Sequence, residues 1–127
     1  MTETAFVVAD PAQRSRIAQP MPQNPLGPVA GIKDSTVPRR WESGGAGMVG
    51  TIGDYARFAQ MLLNGGELDG RRYLKPESVK LMTSLQSGAL KTGFTPGCGW
   101  GLGWCVVREP QGVTAMLSPG SFGHGGA

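Results

Sequence analysis

The stretch Thr51-Ile52-Gly53-Asp54-Tyr55-Ala56-Arg57-Phe58-Ala59-Gln60-Met61-Leu62-Leu63-Asn64-Gly65-Gly66 carries the clearest structural signal in this chain. Ile52, Tyr55, Ala56, Ala59, Leu62 and Leu63 recur at helical spacing, and Thr51 with Asp54 resembles a capping box with a shortened acid. The pattern predicts a helix from about Ile52 to Asn64. Phe58 and Met61 widen its apolar stripe beyond one face, and Gly65-Gly66 supplies a left-handed stop.

Downstream, Asp69-Gly70 lies between Glu67-Leu68 and Arg71-Arg72. That dipeptide suits a type I′ hairpin turn, whose two central residues need positive φ. Pro76 fits a first helical position, and Val79, Met82 and Leu85 share one side, predicting a short helix from about Pro76 to Leu85 with Lys75 as a poor N-cap. Trp100, Leu102, Trp104 and Val106 then alternate with Gly101, Gly103, Cys105 and Val107, which reads as one strand with bulky residues on one face and glycines inviting close packing on the other. Val113 to Leu117 reads as a further short strand. The chain closes on Ser121-Phe122-Gly123-His124-Gly125-Gly126-Ala127 with no cap or turn. Ending inside a strand suggests truncation, since such a strand leaves backbone groups without partners.

Upstream, residues 9–50 contain six prolines and a run of glycines at 44, 45, 47 and 50, with neither helical nor strand periodicity. This segment reads as loop, too long for the interior of a compact domain, and therefore as a linker or a crossover draped over other protein. The expected organisation is a single partial domain over 1–127: a loop-rich crossover at 9–50, helix-hairpin-helix at 51–86, and strands at 98–127. Gly (21) and Pro (10) make up about a quarter of the 127 residues, near the level at which low complexity becomes a concern, while the 39% apolar share permits a modest core.

The formal charge of +3 is spread thinly, and Glu42 and Asp69 lie near the two basic pairs Arg39-Arg40 and Arg71-Arg72. No clustered cationic face for nucleic acid emerges. No apolar run approaches the ~18 residues of a membrane span, and the first twenty residues lack a secretory h-region. Compartment and oligomeric state stay open. Cys98 and Cys105 would stand roughly 23 Å apart in one extended strand at ~3.3 Å per residue, so a disulfide needs an intervening turn. Buried free thiols are expected. With a single His and two Cys no zinc set is encoded, and no cofactor is expected.

Gly45-Ala46-Gly47-Met48-Val49-Gly50 matches the Gly-x-Gly-x-x-Gly fingerprint and precedes a helix, with Asp69 about twenty residues on. The preceding Val37-Pro38-Arg39-Arg40-Trp41-Glu42-Ser43 cannot be the buried strand that motif requires. A small module holding a nucleotide phosphate on this loop is one alternative function, and a partly folded product without a ligand is another. No serine lies in Gly-x-Ser-x-Gly or precedes a lysine by three. Ser121 and His124 would face opposite sides of an extended strand, and from spacing alone His124 is a surface imidazole.

Glu42-Ser43-Gly44-Gly45-Ala46-Gly47-Met48-Val49-Gly50-Thr51-Ile52-Gly53-Asp54-Tyr55-Ala56-Arg57-Phe58, followed by Met61-Leu62-Leu63-Asn64-Gly65-Gly66-Glu67-Leu68-Asp69-Gly70, resembles the serine β-lactamase-related family. That family embraces class C β-lactamases, DD-peptidases and esterases of β-lactamase fold. Trp100-Gly101-Leu102-Gly103-Trp104 and Gly123-His124-Gly125-Gly126-Ala127 are similar to it in the same order, as is Met1-Thr2-Glu3-Thr4-Ala5-Phe6. The resemblance implies an incomplete α/β (α+β) fold of antiparallel strands with packed helices. It also implies a serine hydrolase acting on a small ester, amide or β-lactam-like substrate through an acyl-enzyme.

Of the family's three motifs, Ser-x-x-Lys and Tyr-x-Asn have no match, because Tyr55 is followed by Ala56-Arg57 and Tyr73 by Leu74-Lys75. Both are expected before Met1, so the nucleophile is absent. The third, Lys-Thr-Gly or His-x-Gly, matches at His124. The resemblance then gives His124 the hydrogen-bonding or cationic place, leaves Gly125 and Gly126 as a bare strand edge for substrate, and makes the Ala127 N–H an oxyanion donor. A histidine in place of lysine implies that a substrate carboxylate binds more weakly as pH rises. It points to an esterase, amidase or peptidase parent in preference to an efficient β-lactamase.

Overall fold

The computed structural model describes residues 1–19, 34–90 and 95–125. Its order of elements is α1 (Ile52–Leu63), β1 (Glu67–Leu68), β2 (Arg71–Arg72), α2 (Pro76–Thr83), β3 (Cys98–Trp100), β4 (Cys105–Val107) and β5 (Phe122–Gly123), with two short 3-10 turns at Pro11–Arg16 and Gly112–Thr114. The chain forms two compact units, Met1–Ala59 and Gln60–Ala127.

In the first unit, Ala5 and Val49 form an antiparallel bridge with reciprocal backbone hydrogen bonds of 3.0 and 2.9 Å. The expected unbroken loop over 9–50 is interrupted by the Pro11–Arg16 turn, where Asp10 accepts from the Ala12 N–H at 2.9 Å and Pro11 supplies the first helical position. Local side-chain capping, not periodicity, makes this element. Residues 20–33 of the expected crossover lie outside the described residues.

The Thr51 hydroxyl caps α1 by accepting from the Asp54 N–H at 3.2 Å. Asp54 does not complete the box. Its buried carboxylate takes the N–H groups of Thr2 (3.3 Å) and Glu3 (2.8 Å) and the Thr4 hydroxyl (2.8 Å), anchoring the first residues to the start of the helix. The Thr4 hydroxyl chiefly, and then the two amides, hold the Asp54 carboxyl below its ordinary range against the opposing effect of burial.

In the second unit, α1 ends as its two glycines predict. The Gly66 N–H reaches the Met61 carbonyl and the Gly65 N–H that of Leu62, with φ of 95° and 65°. This is a Schellman stop, which satisfies carbonyls that a helix end would otherwise orphan. Asp69 and Gly70, at φ 52° and 73°, close the β1–β2 hairpin as a type I′ turn. Across it Arg72 pairs with Glu67 at 2.7 Å, while its other nitrogen donates to the carbonyls of Gly65 and Leu74, each at 3.1 Å. The exposed ion pair contributes at most about 1 kcal/mol, and its larger role is to tie the hairpin to the helix end.

α2 starts at Pro76 without a side-chain cap from Lys75 and stops at Thr83, two residues short of the expected end. The Met82 carbonyl is taken by the Leu102 N–H at 3.0 Å, and the chain turns extended at Ser84 so that the N–H groups of Gln86 and Ser87 donate to the Trp100 carbonyl. A tertiary partner thus replaces the last helical turn.

The expected single strand through Trp100–Val107 is instead a hairpin, β3 and β4, in the register Cys98↔Val107, Gly99↔Val106 and Trp100↔Cys105. The Gly101 N–H donates to the Trp104 carbonyl at 2.8 Å, and Gly103 adopts φ 81°. The alternation in the sequence belongs to two strands folded on each other. β4 then pairs antiparallel with β5, placing Cys105 opposite Gly123 and Val106 opposite Phe122, so the sheet order is β3-β4-β5. The expected strand at 113–117 is also corrected: Gly112 has φ 54°, and the Thr114 hydroxyl accepts from the Gln111 N–H at 3.2 Å, bending the chain into a 3-10 turn. Val113 and Met116 are left 91% and 97% exposed. Leu62, Val79, Cys98, Val106 and Val107 are the most buried apolar residues of this unit, and among the described residues no large side chain is wholly enclosed. The whole is a mixed helix and antiparallel-sheet arrangement.

Two outcomes follow from these contacts. A methyl at Gly101 would stand 2.0 Å from the Met82 carbonyl oxygen, whereas one at Gly123 meets nothing within 4 Å. In chemical denaturation Gly101→Ala should lose at least about 2 kcal/mol, and Gly123→Ala should stay within about 0.5 kcal/mol of the parent. Because the Asp54 carboxyl is depressed on folding, the stability it provides is complete above the ordinary carboxylate range near ~4 and is lost as pH falls toward its lower folded value. The Glu3 amide resonance should therefore titrate in that acid window, and the titration should vanish in Asp54→Asn.

Candidate functional site

A groove of about 630 Å³ runs over one face of the three-stranded sheet. Strand register explains its floor. Cys98 and Trp100 of β3 lie directly opposite Val107 and Cys105 of β4, and Cys105 lies opposite Gly123 of β5, so these side chains share a face. All of them line the groove, with Val113, Thr114 and Leu117 from the 3-10 turn region, and His124 and Gly125 beyond β5. The other face is occupied at the hairpin by the residues that follow α2. A Cβ on Gly99 would meet Leu85 Cδ2 at 2.5 Å and Ser87 Oγ at 2.9 Å. The glycine face is therefore the packed one, and the groove opens on the opposite side.

His124 is exposed at the groove, its ring edge-on to Trp100 with centroids 5.5 Å apart and planes at 61°. Its Nδ1 lies 2.5 Å from the Gly125 carbonyl oxygen. A proton on Nδ1 satisfies that contact and leaves Nε2 as the nitrogen available to a ligand. The described lining holds Thr, Ser, Cys and apolar residues beside it and no carboxylate, Lys or Arg. The arrangement can offer a single imidazole to a polar group while apolar walls receive the rest of a small molecule, within the size range of ordinary ligand clefts.

Of the residues singled out in the sequence, His124 and Gly125 come together at this groove, whereas Gly126 and Ala127 lie outside the described residues. Neither Gly123 nor Gly125 has a left-handed φ, and neither has an atom within 4 Å of an added Cβ. Ser121 also lines the groove, yet among the described residues no hydrogen bond joins its hydroxyl to His124. Among the described residues the glycine run at 45–50 follows no strand. The Val49 N–H is committed to the Ala5 carbonyl, the Gly45 N–H to the Ser43 hydroxyl, and the Asp54 N–H to the Thr51 hydroxyl, which removes donors a phosphate would need. Sequence reasoning missed Trp100 and the two cysteines as neighbours in one groove. The signal was the Gly-Leu-Gly triplet at 101–103, which marks a turn as readily as a strand.

Among the described residues no group of three His, Cys, Asp or Glu is arranged to hold a metal ion, and no helix is long and apolar enough to cross a membrane.

Comparison with known proteins supplies the context for this geometry. The chain is 32% identical to Protein Rv1367c of Mycobacterium tuberculosis over 137 aligned residues, covering 97% of this chain and 33% of the relative. It is also 33% identical over 84 residues to an Escherichia coli protein provisionally named a D-alanyl-D-alanine carboxypeptidase, covering 66% of this chain and 18% of that protein. The chain thus spans about a third of the length of the mycobacterial relative and less of the other. The family model described as Beta-lactamase matches residues 1–127, from end to end of the sequence. With an antiparallel sheet, packed helical segments and that full-length match, the chain belongs to the beta-lactamase family.

Proposed function

We propose that this chain contributes one wall of the acyl-transfer site of a serine hydrolase, with the attacking serine and its base outside these residues. The observation that carries the reading is the family match over residues 1–127, together with His124 and Gly125 at the open end of a ligand-sized groove. Membership of the family supports a small-molecule substrate. The name of the Escherichia coli relative extends that to amides and peptides ending in D-alanine, beside esters and β-lactam-like rings.

In this reading Nε2 of His124 hydrogen-bonds a substrate carboxylate or carbonyl. Gly125 and Gly126, lacking side chains, leave room for the acyl group, and the Ala127 N–H is assigned as donor to the oxygen that becomes negative in the tetrahedral intermediate. A fixed donor at that oxygen contributes on the order of 3 kcal/mol to the transition state. The space around Gly123 and Gly125 supports the assignment, since nothing in the described chain itself excludes a side chain there. The organisation proposed is one partial domain over 1–127, its 9–50 segment a crossover, 51–86 a helix-hairpin-helix support and 98–127 the site strands.

The purified chain, incubated with a short-chain chromogenic ester, a cephalosporin and a fluorophosphonate probe, should show no turnover and no covalent adduct. The intact cephalosporin should nevertheless shift the His124 ring resonances, and His124→Ala should weaken its binding roughly tenfold, the loss of one good hydrogen bond to a charged group. A covalent adduct on one of its own serines, or cephalosporin shifts that map away from His124 and Trp100, would sink this reading.

A further inference from the structure

The β3–β4 hairpin brings together two thiols that the mechanism proposed above does not use. Cys98 and Cys105 are both free, Cys98 buried and Cys105 half-buried, and both line the groove. Cys105 lies directly opposite Trp100, two residues from Cys98, and Cys98 lies opposite Val107. The two cysteines are therefore diagonal neighbours on one face. Burial first, and then the neighbouring Cys98 thiol, push the Cys105 thiol up.

Diagonal cross-strand partners have Cα atoms roughly 7–8 Å apart, with side chains leaning closer. An unstrained disulfide wants that distance between about 4.4 and 6.8 Å. The pair is thus better placed to share one bridging atom than to bond directly. Such an atom must be soft, because thiolate sulfur selects soft centres, and it must be content with two sulfurs, because no third ligand joins them among the described residues.

We propose that Cys98 and Cys105 form a dithiol site that chelates a soft, thiophilic centre such as a trivalent organoarsenical, on the floor of the groove beside Trp100. In that step two S–H bonds and both bonds of the arsenic–oxygen double bond break, two arsenic–sulfur bonds and two O–H bonds form, and the oxygen leaves with the two protons as water. No electron is transferred and no oxidant is required. The proposal stands on the hairpin register and does not depend on the hydrolase reading.

The test is titration of the reduced chain with phenylarsine oxide. One equivalent should abolish both thiols toward a colorimetric disulfide reagent. The mass should rise by one phenylarsenic group per monomer, and dithiothreitol should reverse the adduct where excess 2-mercaptoethanol does not. Cys98→Ser and Cys105→Ser should each weaken retention roughly 100-fold or more, since the second bond then loses its high effective concentration. Retention unchanged in either single variant would overturn the proposal, as would an arsenical bridging two chains. So would titration of both wild-type thiols persisting after one equivalent, a measurement that needs no variant to fold. A disulfide forming within one chain on simple exposure to air would overturn the spacing argument.

Discussion

The carboxyl-terminal unit depends on one close approach, that of the Gly101 backbone to the C-terminal carbonyl of α2. The Met82 oxygen accepts from the Leu102 N–H, and a hypothetical Cβ on Gly101 would stand 2.0 Å from that oxygen. Only a residue without a side chain can turn there. Once the chain turns, β4 must run back along β3, Cys105 must fall opposite Trp100, and the face of the sheet bearing the cysteines must point away from the residues that follow α2. The groove is a consequence of that turn and of the antiparallel addition of β5.

The amino-terminal unit is organised by polar contacts. Asp54 gathers the Thr2 and Glu3 amides and the Thr4 hydroxyl, and Ala5 then bridges to Val49 just before the helix begins. A buried carboxylate surrounded by donors is a specific clamp, since an uncompensated charge there would be costly. The same acid was legible in the sequence as part of a capping box. Its actual partners lie about fifty positions away, and local spacing cannot reveal them.

Family membership and site geometry carry different kinds of weight here. The family match extends over the whole chain and bears on fold and broad chemistry. The groove bears on which residues can meet a ligand, and of the four named from the terminal motif it includes His124 and Gly125. Trp100 gives the imidazole a neighbour that the motif does not mention, packed edge-on against the ring.

Local chemistry in the sequence determined the helix of 52–63, its double-glycine stop, the Asp69-Gly70 hairpin and the start of α2 at Pro76. Each is specified by residues within one or two turns of one another, through propensity, positive φ or a fixed proline ring. Tertiary structure decided where α2 ends, that Trp100–Val107 folds into two strands, that 113–117 bends into a turn and which side of the sheet stays open. In those places backbone donors and acceptors found partners far along the chain. Alternation along a sequence reports which side chains differ in polarity, and it is silent about whether the strand that bears them runs on or turns back.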